Sequence, residues 1–320
     1  MRRGALLAAK LGVSLGLLGY LLSTTDLAAL MRRVRGGDTL LLAAAVALYA
    51  GMLLLSTLRW HLLLQAQGYE SSLRSLSASY LVATFFNNFL PSSIGGDLIR
   101  VRDGRQITGS TTASLAVVAI DRILGFGALY FLAVAAYLAA GPDVRGLLGA
   151  RALLAGLGLF FALLGYVFFR PGTTGRFMTA SGLATFPWLR ERFEIVQAAV
   201  NAYRRQLARV FTAFGASVAL QALFVLYYYS IARSMRIALR LDACFLMVPL
   251  CALIQAVPVS FNGWGVRESV FILYFRQLGL PRETALAFSL VGAGLIVLLS
   301  LSGAAVWTSR GAGSVRAPHS

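Results

Sequence analysis

Charged residues are scarce in this sequence of 320 residues, and they are unevenly placed. Asp, Glu, Lys and Arg together make up 13% of the chain, whereas soluble globular domains carry roughly 25%. The charges gather in short clusters between long apolar runs, and 58% of all residues are hydrophobic. This distribution is typical of a chain that crosses a bilayer several times, and it argues against a soluble catalytic domain.

The residues that usually carry metal or nucleophilic chemistry are also few. His61 and His319 are the only histidines, and Cys244 and Cys251 are the only cysteines. Two cysteines seven residues apart cannot meet within a straight helix, so we interpret them as small buried residues. No nucleophile–base pair and no tight acidic motif stands out. We therefore predict no metal, no cofactor and no catalytic residues, and hence a protein that is not an enzyme.

Basic residues outnumber acidic ones by 29 to 12, and the formal net charge is +17. In a soluble protein this excess would suggest nucleic acid as a partner. Here the arginines flank apolar segments and lack the interleaved aromatic residues of a base-stacking surface. We therefore expect lipid phosphates as partners, and no nucleic acid.

Several apolar segments are long enough to cross the hydrocarbon core, which takes roughly 17–25 helical residues. They lie at about 5–22, 39–58, 123–140 (with residue 111 as an alternative start), 150–169, 210–230 and 284–307. Two shorter segments, 76–90 and 243–257, each end in a break rich in Pro, Ser, Gly and Asn, and then resume as a short charged segment. Interrupted segments of this kind indicate discontinuous or re-entrant helices.

The two breaks share a sequence pattern. Segments 91–100 and 258–267 both fit P-x-S-x-x-G-x-x-x-R in the same register. The chain therefore divides into two halves of similar layout, about 1–140 and 150–310. If each broken segment enters and leaves on one side, each half crosses the membrane three times. An odd number of crossings inverts the second half relative to the first.

These patterns predict an all-α, polytopic integral membrane protein with about six spanning helices and two broken or re-entrant helices in two inverted repeats. Residues 1–310 would form a single transmembrane domain with an amphipathic helix at about 186–205, and residues 311–320 a disordered tail. No cleavage site follows the first apolar stretch, so we expect an uncleaved first helix. We place the protein in a prokaryotic inner membrane with both termini in the cytoplasm.

Each break supplies groups that bind anions. Proline and glycine end one helix and let another begin, and a helix start presents free N–H groups with a positive dipole. Arg100 and Arg267 follow within the first turns, and a guanidinium can hold a phosphate through two hydrogen bonds. We predict a pseudo-symmetric site for a lipid headgroup where the halves meet. Its residues are Arg100, Arg267, Ser93, Ser260, Gly96, Gly263, Asn88 and Asn262.

Acidic residues adjoin both arginines. Asp97 and Glu268 could pair with them when no lipid is bound, or carry a coupling proton. Asp121 and Arg122 interrupt an apolar stretch, and the pair either anchors a helix at the interface or faces inward to contact Asp97 or Glu268. The alternative for Arg100 is that it and its basic neighbours merely mark the end of a cytoplasmic loop.

Two further polar pairs have structural interpretations. Asn87 and Asn88 end the first short segment, where they either cap the freed backbone or line a polar cavity. Arg59 and Trp60 follow the second apolar segment, and we interpret them as an anchor at the membrane interface.

At these motifs the chain resembles the flippase-like family that includes the membrane domain of lysylphosphatidylglycerol synthases. The resemblance rests on Arg59-Trp60, on the run from Phe86 through Gly95-Gly96-Asp97 to Arg100, on Asp121-Arg122, and on the run from Asn262 to Glu268. It implies a membrane domain that moves anionic or modified lipids between leaflets. The best-known members are fused to a soluble aminoacyl transferase. Only 13 residues follow Trp307 here, so we expect no aminoacylation of phosphatidylglycerol by this chain.

The resemblance and the repeated breaks favour a lipid translocase acting on an anionic phospholipid or a polyprenyl-phosphate-linked lipid. One alternative is an intramembrane lipid-modifying enzyme, in which Asp97, Asp121 and Glu268 serve as acids or metal ligands. Another is a non-transporting membrane partner that recruits a separate synthase or glycosyltransferase through the helix at 186–205.

Overall fold

The structure, a computed structural model, describes residues 35–90, 95–169, 197–257 and 260–310, together with Leu15, Gly16, Gly19, Tyr20 and Ser23. Within these ranges the only extended regular elements are helices. They are α1 (Thr39–Ala66), α2 (Leu73–Phe89), α3 (Gly95–Thr108), α4 (Thr111–Ala139), α5 (Pro142–Arg145), α6 (Ala150–Phe169), α7 (Leu207–Ser234), α8 (Leu241–Gln255), α9 (Val266–Gln277) and α10 (Arg282–Ser309). Residues 197–205 are also helical. Most of the predicted first helix, residues 186–196 of the amphipathic helix and the tail lie outside the described residues.

Four helices are long and apolar enough to cross a membrane. They are α1, α4, α7 and α10, with 28 or 29 residues each. At 1.5 Å per residue each is longer than the roughly 30 Å hydrocarbon core. The predicted span at 150–169 is also helical, although its described apolar part, Ala150–Tyr166, is shorter. The chain is thus an integral, multi-pass, α-helical membrane protein.

One of these helices is longer than the apolar segment that predicted it, and another has the earlier of its two predicted starts. α1 continues beyond residue 58 to Ala66, and α4 begins at Thr111. Arg59 therefore lies inside α1, and Asp121 and Arg122 lie inside α4. A charge can sit within a membrane helix when the protein supplies a partner of opposite charge, and all three residues have one.

α2 and α3 form an antiparallel hairpin around the first break. Ser79 Oγ donates to Asp103 at 2.6 Å, and the Gly96 N–H donates to the side chain of Asn87 at 2.8 Å. The earlier residue of α2, Ser79, thus contacts the later residue of α3, Asp103. This is the order of contacts that an antiparallel pair of helices requires. A side chain at Gly96 would overlap the carbonyl of Ala83, so glycine allows the two helices to approach this closely.

α8 and α9 form a second antiparallel hairpin around the second break. Cys251 lies against the carbonyl of Arg267 at 3.9 Å, and a side chain at Gly263 would meet Gln255. Gly263 and Gly265 have φ angles of 77° and 83°, in the left-handed region that glycine adopts without strain. The Glu268 carboxylate accepts from the Gly265 N–H at 2.6 Å and caps the start of α9.

The helices α1 and α7, which are the second predicted spans of their halves, lie side by side and run antiparallel. The Asp38 N–H donates to the Ser234 carbonyl at 3.0 Å at one end. Arg59 donates to Ser217 Oγ at 3.1 Å further along, and Arg209 donates to the Gln65 carbonyl at 3.1 Å near the other end. The broken helices also pack on spans of the opposite half. The first-half helix α2 packs on α10, and the second-half helix α8 packs on α4.

A large apolar core surrounds the second hairpin. The Tyr228 ring packs against Phe271 and Phe288, with centroid separations of 5.5 and 5.1 Å. Cys244 and Cys251 are buried in the same cluster as free thiols, which confirms the prediction that they are small buried residues. This packing fixes the position of α9 and of the arginine at its start.

Candidate functional site

A group of charges forms where α1, α3 and α4 meet, and we call its five members, Arg59, Asp97, Arg100, Asp121 and Arg122, the Arg100 cluster. Four of the five are buried, and the Arg122 side chain is 36% exposed. Asp121 is 1% exposed and receives two arginines. Arg59 binds it with two parallel hydrogen bonds, from Nε at 2.5 Å and from Nη2 at 2.9 Å. Arg100 Nη1 lies 2.9 Å from its second oxygen. The carboxylate therefore joins α1, α3 and α4 at one point.

Arg100 packs against two aromatic rings that also contact each other edge to face. Its guanidinium carbon lies 4.7 Å from the centroid of Trp60 and 4.8 Å from that of Tyr80. The side chain is nearly fully buried, and no atom of the described residues accepts a hydrogen bond from its Nε or Nη2. These two nitrogens form one edge of the guanidinium, the geometry that holds two oxygens of a carboxylate or phosphate. Arg59 uses the same edge to bind Asp121.

The Arg100 cluster carries an excess of positive charge. Asp97 contacts Arg122 and lies 3.6 Å from Arg100 Nη1. The cluster thus contains three arginines and two aspartates, and its formal charge is +1 when all five residues are ionised. Of the two alternatives for Asp121 and Arg122, the structure has the inward-facing one, in which Arg122 contacts Asp97.

The second break has a separate group of charges, the Arg267 cluster, formed by Trp264, Arg267, Glu268 and Ser289. Arg267 Nε and Nη2 donate to one oxygen of Glu268 at 2.9 and 2.5 Å. Ser289 Oγ accepts from Arg267 Nε and donates to Glu268, both at 2.9 Å. The Trp264 ring lies 4.6 Å from the guanidinium carbon of Arg267. Glu268 is fully buried, and this cluster is formally neutral.

The two breaks touch through a pair of amides. The Asn262 side chain donates to Asn88 Oδ1 at 3.3 Å, across 174 residues of sequence. Asn88 in turn donates to the Thr84 carbonyl at 3.1 Å. Ser260, two residues before Asn262, is buried. Ser93 lies outside the described residues. The predicted meeting of the breaks therefore occurs at the asparagines, while Arg100 and Arg267 bind different acidic partners.

The two arginines lie at different distances from their helix starts, and one predicted ligand group of the first break is already bonded within the protein. Arg100 is the sixth residue of α3 and so lies in its second turn, whereas Arg267 is the second residue of α9. Asn87 caps α3, since its side chain already accepts from the Gly96 N–H. The Gly96 amide is consequently not free to bind a ligand.

The interpretation of Arg59 and Trp60 as an interfacial anchor is wrong. Arg59 is 6% exposed and Trp60 is 1% exposed. Arg59 belongs to the Arg100 cluster, and Trp60 contacts Arg100. Their partners, Asp121 and Arg100, lie 62 and 40 residues away in the sequence. The continuation of the apolar pattern through Leu62, Leu63 and Leu64 is the signal that could have shown that the helix goes on.

A protein-family model described as "Lysylphosphatidylglycerol synthase TM region" matches residues 7–303. The chain belongs to this family. The match confirms the resemblance drawn from the motifs and covers both halves, both breaks and both clusters. A search of curated proteins and a search of solved structures each found no match to the chain.

A further polar contact, at the end of α10, was not predicted. Asp103 on α3 accepts from Ser79 and lies 3.5 Å from Arg310, at the end of α10. Arg310 also donates to the Ser75 carbonyl at 3.1 Å. Partial burial lowers the pKa of Arg310, and the charge of Asp103 acts in the opposite direction. The contact ties the last helix to the first hairpin.

The acidic residues of the two clusters have arginine partners. The described residues contain no group of three or more His, Cys, Asp or Glu side chains that could hold a metal ion. Asp97, Asp121 and Glu268 are each paired with arginine. An arginine in contact with a carboxylate opposes metal binding, because the cation would have to displace an existing positive charge.

Proposed function

We propose that this protein is a lipid translocase that holds an anionic, phosphate-bearing lipid headgroup at the Arg100 cluster. The observation that carries the proposal is the buried edge of Arg100, whose Nε and Nη2 have no acceptor among the described residues, in a cluster with a formal charge of +1. A lipid phosphodiester carries one negative charge and has two oxygens that fit this edge. Membership in the lysylphosphatidylglycerol synthase transmembrane family favours a lipid over a soluble anion.

The energetic argument rests on the buried donors. A buried donor without an acceptor costs about 1–3 kcal/mol, and Arg100 has two such nitrogen atoms. A phosphate that accepts from both would offset this cost and also balance the excess charge. Trp60 and Tyr80 would keep the guanidinium plane fixed while the headgroup enters and leaves.

The two arginines are not equivalent in this proposal. Arg267 already uses Nε and Nη2 on Glu268 and Ser289, so a headgroup there would have to displace a fully buried carboxylate. We assign the phosphate to Arg100 and a positioning role to Arg267. Asp97 and Glu268 are the groups that would pair with arginine, or carry a proton, when the headgroup leaves.

Movement between leaflets needs two access states, and an inverted repeat is a common way to build them. We infer inverted halves with re-entrant hairpins α2–α3 and α8–α9. The antiparallel arrangement of α1 and α7, which are the second spans of their halves, supports the inversion. The hairpin helices have 17, 14, 15 and 12 residues, so each is shorter than the roughly 30 Å hydrocarbon core, which supports re-entry. In this arrangement both termini lie on the cytoplasmic side of a prokaryotic plasma membrane.

The test is headgroup transfer in proteoliposomes. Purified protein is reconstituted with headgroup-labelled phosphatidylglycerol, and the transfer rate is compared for the unmodified chain, Arg100→Gln, Arg100→Lys and the exposed control Arg151→Gln. We expect transfer faster than in protein-free vesicles. The Gln variant should lose at least about tenfold, since a charge-assisted hydrogen bond contributes roughly 1.5–3 kcal/mol. The Lys variant keeps the charge but not the two-nitrogen edge, so it should retain part of the rate.

Two outcomes would contradict the proposal. One is transfer no faster than in protein-free vesicles for phosphatidylglycerol and other anionic lipids. The other is an Arg100→Gln rate equal to that of the unmodified chain. Reaction of the buried thiols of Cys244 and Cys251 with a maleimide separates loss of function from loss of fold, because only unfolded protein exposes them.

A further inference from the structure

A cavity of about 630 Å³ lies along one side of α9, away from the residues of both clusters. Its wall on α9 consists of Ser269, Ile272, Leu273, Arg276 and Gln277, and Arg282 at the start of α10 closes it. Spacings of three, four, seven and eight residues place the α9 side chains on one helical face. The cavity is therefore a groove that follows this face for about 12 Å, at 1.5 Å per residue.

The groove is divided by polarity along its length. Ile272 and Leu273 form its middle, and Leu273 is 40% exposed. Arg276, Gln277 and Arg282 gather at the end where α9 stops and α10 begins. An apolar channel that ends in cations matches the shape of a phospholipid, whose acyl chains adjoin a phosphate.

The cationic end has donors available. Arg282 Nε is buried and finds no acceptor among the described residues. The Gln277 carbonyl oxygen already accepts from the Leu148 N–H at 2.9 Å, so its NH₂ group is the part left for a ligand. α10 begins after Pro281 without a side-chain cap, which leaves N–H groups and a positive dipole at this end.

Acidic residues do not line the groove, since its described walls contain only apolar, neutral polar and basic side chains. Glu283 follows Arg282 in the sequence but is not part of the wall. Tyr20 borders the groove beside Arg282, at 5.7 Å from the guanidinium carbon to the ring centroid. Its volume lies within the roughly 300–1,000 Å³ that is usual for small-molecule sites.

We propose that this groove binds one anionic phospholipid, with its phosphate between Arg276 and Arg282 and an acyl chain along Ile272 and Leu273. The site is separate from the Arg100 cluster, so the inference goes beyond the proposed function. A lipid bound here occupies the face of α9 that leads from the end of the helix toward the second break. It would thereby hold α9 and α10 together at their shared turn.

The experiment is a titration of detergent-purified protein with phosphatidylglycerol, in which bound lipids are counted by native mass spectrometry. The double variant Arg276→Gln/Arg282→Gln is compared with the unmodified chain. The matched control, Arg151→Gln/Arg233→Gln, removes two exposed arginines elsewhere. Basic residues near an anionic lipid contribute about fivefold in affinity each. We therefore expect binding at one site to weaken about thirtyfold in the double variant and to be unchanged in the control.

Three comparisons decide the assignment. Equal weakening in the control variant would mean general attraction between cations and anionic lipid, and would overturn a defined site. Loss of the same binding step in Arg100→Gln would place the lipid at the Arg100 cluster instead. Displacement of phosphatidylglycerol by inorganic phosphate at the same concentration would show that the acyl chain contributes nothing, and would overturn the lipid assignment. Unchanged binding in Arg100→Gln and no displacement by phosphate support it.

Discussion

The charge balance around Asp121 predicts a large and specific effect of removing its carboxylate. Asp121→Asn keeps the size of the side chain but removes the negative charge that joins Arg59 and Arg100. All three side chains are buried, so water cannot replace the lost partner. The substitution therefore leaves two buried arginines without their shared carboxylate partner. Removing only one partner of a buried ion pair is strongly destabilising, because a buried charge stays unpaired.

The magnitude follows from the distances. Two unit charges 2.9 Å apart, at an effective dielectric constant of about 20, attract by about 6 kcal/mol. Desolvation of the charges offsets much of this gross attraction, and removal of one partner of a buried pair costs about 3–5 kcal/mol in free energy of unfolding. Arg59→Met should cost less than Asp121→Asn, because Asp121 keeps Arg100 as a partner.

The assay uses the two cysteines that the chain provides. Cys244 and Cys251 are buried free thiols, so their reaction with a maleimide reports unfolding during an SDS titration in mixed micelles. A double-mutant cycle of Arg59→Met and Asp121→Asn should show a combined cost smaller than the sum, by about 1–3 kcal/mol. A cost below about 1 kcal/mol for Asp121→Asn, or simple additivity of the two substitutions, would refute the reasoning about this cluster.

The remaining predictions concern helix packing and topology. Gly303→Ala should cost about 1–3 kcal/mol in the same unfolding assay, because the added methyl overlaps the backbone carbonyl of Leu81 and pushes α10 away from α2. Gly294→Ala on the same helix has open space around it and should be neutral or stabilising by up to about 1 kcal/mol; equal losses would contradict the packing. Single cysteines at Ser71 and Ser110, in a background without the native thiols, should react with a membrane-impermeant reagent from the same side, whereas opposite sides would exclude a re-entrant α2–α3 hairpin.

The broken helices could be predicted from sequence because their causes are local. Pro91 and Pro258, the glycines that follow them and the common spacing to an arginine are visible in the chain. The structure places helices on both sides of each break, with bounds within a few residues of the predicted segments. The end of α1 was misjudged for the opposite reason. Arg59 resembled the end of a membrane span because its neutralising partner, Asp121, lies in another helix.

The organisation of the site depended on contacts that no local pattern contains. No pattern near Arg100 in the sequence predicts that its guanidinium contacts the rings of Trp60 and Tyr80. The two breaks have matching motifs, yet Arg267 has the adjacent Glu268 as a partner and Arg100 depends on an acid from α4. Similar motifs thus acquire different charge balance because the surrounding helices supply different partners.

The most direct test is an experimental structure of the full chain in nanodiscs that contain phosphatidylglycerol. The account predicts a lipid phosphate within hydrogen-bond distance of Arg100 Nε and Nη2, with the guanidinium still packed against Trp60 and Tyr80. Ordered lipid at other sites, with that edge of Arg100 closed by protein groups alone, would contradict the assignment of Arg100 as the headgroup site.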